Sequence, residues 1–337
     1  MKSAPLEREV IEPAPIEGAG LRAMTRHQRL FAALRGDPVD RIPVSAWMHF
    51  GSEHLSADRT ASLHAQFQRA YDWDFVKVMA DYHFDVPAEV CAFDQLERLE
   101  RIQPPTAGAQ CFRMQLACLG QLHQTLGADT PIFDSGYDPY QMLLRHIGRD
   151  QADHLWTHRA WTLRFLHSLT DAICAHLENL KALGITGYFH STNAATPAHQ
   201  SRGVNDEVYA HFVRPFDLRI LHAAQGLVRI LHAHGSGIDL ARLSGYPFEI
   251  LHVADRDPAN PDLRELQRWT GACVMGGIDE TRFTGASRAV LKAQMDDARQ
   301  QTGGRRFMLA PGCVLPSSSS KASLRFLRHA LGGSLPE

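Results

Sequence analysis

The stretch Val228-Arg229-Ile230-Leu231-His232-Ala233-His234-Gly235 decides how this chain is read. Its first half is a short apolar run with the length and composition of a strand. Its second half sets two imidazoles one residue apart. Residues i and i+2 of an extended strand point to the same side, so both rings can face one ion. Far downstream, Ala310-Pro311-Gly312-Cys313-Val314-Leu315-Pro316 offers a thiolate. Two imidazoles and a thiolate are the donors of a tetrahedral zinc site that keeps one position open. The long gap from His234 to Cys313 demands a fold that returns the chain to the same place. That combination points to a catalytic centre rather than a small zinc knuckle.

Working outward, the apolar runs 42–48, 75–79, 131–133 and 186–190 precede this stretch, and 248–252, 273–275 and 306–309 follow it. Segments 159–183, 206–225 and 284–301 between them have helical spacing. Eight candidate strands alternating with helices, with no linker-like break, predict an α/β chain closed as a (β/α)8 TIM barrel. Residues 1–22 mix charge, Pro and Gly without periodicity and are expected to be a flexible leader to one barrel domain over 23–337. Thr25 is placed to cap a helix carrying Leu30, Phe31 and Leu34, which Gly36 ends. Residues 317–320 suit the cap of the last helix.

Composition narrows the classes. Of 337 residues, 44 % are apolar and 21 % charged, as in ordinary globular proteins. A formal net charge of −2 gives no global pull toward nucleic acid or anionic membranes. No apolar stretch reaches membrane-spanning length, and the N-terminus has no apolar core of a secretion signal. Six cysteines without paired short spacing read as reduced residues of a cytoplasmic protein. Nineteen histidines suit metal chemistry or proton transfer without proving either.

In a barrel, active residues lie just past the C-terminal ends of strands. His49, Asp81, Tyr82, His190, Asn193, His232, His234, His252, Asp279 and Cys313 gather at such positions. His49, His190 and His252 are candidate fourth ligands or acid–base groups, or else satisfied polar residues. Asp279 is either a supporting carboxylate or the cap of the following helix, and Asp81 is open in the same way. Trp47 and Tyr82 line a pocket or simply pack.

Taken together, Arg41-Ile42-Pro43-Val44, His232-Ala233-His234-Gly235, Gly276-Gly277-Ile278-Asp279 and Pro311-Gly312-Cys313-Val314-Leu315-Pro316 make residues 24–335 resemble the uroporphyrinogen decarboxylase superfamily. The resemblance implies a (β/α)8 barrel. The true decarboxylases follow the first strand with Met-Arg-Gln-Ala-Gly-Arg, whose arginines hold substrate carboxylates. Here Met48-His49-Phe50-Gly51-Ser52-Glu53 has neither arginine. The sequence looks more like the zinc methyltransferases, which move a methyl group from a corrinoid protein to a thiol and carry His-x-Cys with a distant Cys. His232 and Cys313 match that motif, and His234 replaces its first cysteine.

That replacement leaves zinc at +1 instead of neutral, a stronger Lewis acid that makes a bound thiolate less nucleophilic. Coenzyme M is therefore disfavoured as acceptor, and another thiol or heteroatom is expected. Asp81-Tyr82-His83-Phe84-Asp85-Val86 nearly spells a corrinoid-binding signature, but Val86 stands where Gly is required. A corrinoid would thus arrive separately, as a free cofactor or on a partner protein. The resemblance also implies a homodimer. Copper is the alternative metal if Met275 or Met308 stands near the trio. Two other classes stay open: a metal-assisted lyase, decarboxylase or hydrolase acting on a small acid, and a non-catalytic metal- or corrinoid-binding barrel.

Overall fold

The computed structural model describes residues 22–84, 96–196 and 204–330. The expected leader, up to residue 21, lies outside them. Seven strands, β1 (Val76–Lys77), β2 (Ile132–Tyr137), β3 (Gly187–Thr192), β4 (Val228–Ala233), β5 (Ile250–Val253), β6 (Cys273–Ile278) and β7 (Phe307–Pro311), form one curled sheet in chain order. Every neighbouring pair is parallel. Parallel neighbours need a crossover. Helices Gln110–Leu126, Arg159–Ala182, Arg214–Ala223, Leu263–Thr270 and Arg288–Thr302 supply most of them.

Strand alternation sorts the core. Phe75, Phe133, Phe189, Ile230, Ile250, Met275 and Met308 form one buried cluster on the inner face of the sheet. Leu231, Leu251, Val274 and Leu309, one residue out of phase, pack on the outer side in a second cluster. Tyr188 joins a third among the helices. The same period of two decides which polar side chains face inward.

Local signals explain the helix ends. Thr25 and Gln28 form a reciprocal capping box, and Gly36 closes that helix at φ 78°, a left-handed conformation. Ser320 caps the last helix, Lys321–His329. The helical segment after Asp206 includes a π turn at Tyr209–Val213, just ahead of Pro215. Proline has no N–H for the regular i→i−4 bond, so the ladder shifts there. No helix among the described residues is long and apolar enough to cross a membrane.

The strand expected at 42–48 is reduced to a single parallel bridge between Val44 and Leu309. Pro43 cannot donate to a ladder, and the Val44 N–H goes to the Asp74 carboxylate at 2.9 Å. The segment is still bonded on both sides. Leu309 N donates to Pro43 O and Ser45 N to Leu309 O, while Asp74 N donates to Val44 O and Ser45 Oγ to Phe75 O. The run 75–79 likewise narrows to β1, although Val78 N still donates to Phe133 O.

Asp74 organises this junction. It is fully buried and accepts from Arg29 at 2.7 Å and from both terminal nitrogens of Arg41. Arg29 also grips Asp40, and Arg328 of the last helix meets Asp72 beside Arg26. Removing one partner of a buried pair leaves the other charge stranded. Asp74→Ala is expected to cost about 3–5 kcal/mol, read as a lower denaturant midpoint at unchanged slope.

Candidate metal centre

His232 ends the inward-facing series Val228, Ile230, His232 on β4, and His234 follows just beyond the strand. Cys313 lies two residues past β7. One donor atom from each of the three lies within 4.8 Å of the others. Cys313 Sγ is 3.6 Å from His234 Nδ1. Ligands at ~2.1 and ~2.3 Å on a tetrahedron stand about 3.6 Å apart, so this spacing fits zinc.

The surroundings prepare His232 as a neutral donor. Burial, followed by the neighbouring His252, His234 and Lys77, holds its pKa far below the usual imidazole range. Its Nδ1 donates to the His252 carbonyl at 3.3 Å, which leaves Nε2 as the basic nitrogen. His252 is also buried, with a pKa pushed down to about 3, mainly by burial. Its Nε2 donates to Pro311 O at 2.9 Å and so steadies the chain two residues before Cys313. Burial raises the Cys313 thiol, against the opposing pull of Lys77. Gly312 keeps this turn tight, since a Cβ there would meet Ala254 Cα at 2.7 Å and Glu280 Oε2 at 2.6 Å.

The three residues line a cavity of about 180 Å³. Trp47, His49, Asn193 and His252, singled out from the sequence, line it as well. Asp81 stands behind His49, accepting from its Nδ1 at 2.6 Å. Burial pushes Asp81 up, but the bond and charge of His49 outweigh it and hold the carboxylate below its usual range.

Other candidates go elsewhere. His190 is one residue out of phase with Phe189, so it points to the outer side, where Nε2 meets the buried Asp217 at 2.8 Å. Tyr82 lines neighbouring cavities and bonds Thr60 Oγ1 at 2.7 Å. Asp279 accepts from Thr281 N, Thr281 Oγ1 and Arg282 N, the pattern of a turn cap, and borders an outer cleft of about 600 Å³. Met275 and Met308 belong to the inner core layer and are not among the residues lining the cavity, whereas Met79 is.

Sequence reasoning missed the cations. Lys77 is buried on β1, its Nζ 4.0 Å from the Phe189 ring centroid and 5.0 Å from that of Trp47. A lysine inside the apolar run Phe75-Val76-Lys77-Val78-Met79 was a readable signal, because alternation sets it inward with Phe75 and Met79. Arg145, stacked 4.3 Å over the Tyr137 ring, and Arg149 reach the cavity from the segment after β2. Glu280, half-buried beside Gly312, has a raised pKa, first through burial and then through nearby carboxylates.

Parallel strands with a soft-donor cluster past the ends of β4 and β7 define the chain as an α/β protein of an enzyme-bearing fold. The chain belongs to the uroporphyrinogen decarboxylase (URO-D) family, whose model matches residues 83–332. Its fold is shared with a methyltransferase from Methanosarcina mazei, at TM-score 0.70 and 16 % identity over 90 % of this chain and 97 % of that one. A B12-independent methionine synthase from Shewanella sp. W3-18-1, solved in complex with selenomethionine, matches at TM-score 0.54 and 12 % identity, covering 80 % of this chain and 85 % of its own. At these identities the likeness is one of fold. Among curated proteins, none matches the chain in sequence.

Lys77 yields a prediction for the metal-free chain. Burial lowers its pKa from 10.5 to about 8, with Cys313 and Asp81 pulling the other way. The folded state therefore binds the proton less well than the unfolded state. The penalty is full below pH 8 and disappears as pH rises toward 10.5, so stability gains with pH across that window. Lys77→Met is expected to stabilise the protein at pH 7 by up to about 3 kcal/mol and to flatten the 8–10.5 slope, measured by denaturant unfolding at several pH values.

Proposed function

We propose that the chain is a metal-dependent methyltransferase in which His232, His234 and Cys313 hold zinc. The convergence of their donor atoms within 4.8 Å carries the reading. The eighth stave would be the extended segment 42–48, whose bonds to Leu309 and to the Asp74–Phe75 backbone support closure into a (β/α)8 barrel. The bound ion would supply Lewis acidity, lowering the pKa of an acceptor thiol or other heteroatom.

The chain's residues do the rest. Burial keeps His232 neutral, the His252 carbonyl orients it, and His252 fixes the approach to Cys313. His49, backed by Asp81, takes the proton that the acceptor loses. Asp81 is thus a positioning group, and Asp279 shapes the outer cleft. Phe189 and Trp47 keep water from the inner wall. The acceptor–methyl bond forms as the donor–methyl bond breaks, and that bond's electron pair stays with the donor. The methyl donor in this reading is a corrinoid, free or on a partner protein, which rests on the resemblance of His232 and Cys313 to the zinc methyltransferase motif. A small-molecule acceptor suits the cavity.

A second reading, a metal-assisted lyase acting on a small acid, draws on Lys77, Arg145 and Arg149 around the cavity. One pair of measurements separates the two. Elemental analysis of the full chain should find about one zinc, lost in Cys313→Ser and His232→Ala. Methylcobalamin with a small thiol should lose its alkyl-cobalt absorbance only with the zinc-loaded wild type. Bound zinc without demethylation of either free or protein-borne methylcobalamin would sink the methyltransferase reading and leave the lyase.

A further inference from the structure

A second chamber, of about 60 Å³, lies on the helix side of β2. Phe133 faces the inner core, so the next residue, Asp134, points outward toward helices Gln110–Leu126 and Arg159–Ala182. Asp134 is buried and accepts from Gln115 Nε2 at 2.7 Å and from His176 Nε2 at 2.8 Å. Among the described residues, no lysine or arginine lies within ion-pair distance of it. Gly136 lets β3 pack close, because a Cβ there would collide with the Tyr188 hydroxyl. Phe84, Phe112, Met142 and Ile173 give the chamber an apolar body.

Two acceptors beside this carboxylate are unused. A carboxylate only accepts, so the Gln115 amide turns its NH2 toward Asp134 and its Oε1 away. His176 Nε2 likewise carries the hydrogen, which leaves a lone pair on Nδ1 of the neutral ring. Neither Gln115 Oε1 nor His176 Nδ1 has a hydrogen-bond partner among the described residues. Both side chains are more than nine-tenths buried, and both line the chamber. Buried polar atoms are normally paired, so the two call for a donor from outside the chain. The positive groups of the lining lie toward solvent. Arg145 and His83 are exposed, with Arg145 resting on the Tyr137 ring, and the part-buried His146 stacks on Phe84.

From this we infer that the chamber is a second ligand site, taking a small primary amine. Its ammonium head meets Asp134, Gln115 Oε1 and His176 Nδ1, and its alkyl stem lies along Phe84, Phe112 and Ile173. Three acceptors match the three N–H bonds of an ammonium. Charge selects it over an alcohol, since the bond to a carboxylate is stronger when the donor is ionised. Ser135, Gly136 and Tyr137 form the wall shared with the inner cavity. The inference does not rest on the metal reading.

The test is a ligand-observed NMR titration of the full metal-free chain at pH 8, above the usual imidazole range. It compares n-propylamine with 1-propanol and propionate. Wild type should bind the amine at least tenfold more tightly than either. Asp134→Asn should lose at least tenfold for the amine and less than twofold for 1-propanol. Met142→Trp, which fills the chamber from a part-buried position, should weaken the amine as much and decides the matter where Asp134→Asn does not fold. Asn193→Leu, which alters only the inner cavity, should leave amine binding within twofold. Equal binding of amine and alcohol would mean a chamber that holds water only and would overturn the inference. So would tighter binding of propionate, or an amine preference that survives in either folded chamber variant. Loss of amine binding in Asn193→Leu would overturn it too, by assigning the amine to the inner cavity.

Discussion

A single buried carboxylate holds together what the site requires. Asp74 receives the Val44 N–H and two arginines from separate elements, three residues before Lys77 begins the inner wall. Through Val44 it reaches Leu309 on β7, four residues before Cys313. First and last strands are thereby held to one short segment. Because a curled sheet brings its edges near only when something spans them, this ion-paired junction sets how β1 and β7 approach each other. The arrangement uses charge where a hydrophobic contact would lack direction.

From that constraint the site follows by alternation. The inner series 228, 230, 232 and 250, 252 carries apolar packing below and imidazoles above, so one strand register both fills the core and aims the donors. Burial then keeps the imidazoles neutral, as metal ligation requires. The carbonyls of residues 252 and 311 fix tautomers that composition alone could never specify.

Much of this was legible in the sequence. The His232–His234 spacing and the need to bring Cys313 back describe a geometry before any coordinates. The alternating runs located every strand of the sheet within a few residues. What escaped had identifiable causes. His190 was placed by its position at a strand end, while its phase relative to Phe189 sends it outward. The run 42–48 has a strand's composition, but Pro43 and a side-chain acceptor interrupt its ladder. Lys77 was readable from its apolar neighbours. Arg145 and Arg149 were not, because their relation to the cavity depends on how the helix Pro139–Ile147 lies across the strand ends.

The separate origin of cations and soft donors has a consequence for descent. The groups that would choose a substrate belong to the first two strands and the segment beyond them, and those that would hold a metal belong to the fourth and seventh. The two sets reach the cavity from different strands. A lineage built on this plan can exchange one clientele of small molecules for another by altering the early half of the chain. The chemistry encoded in the late half passes down unaltered.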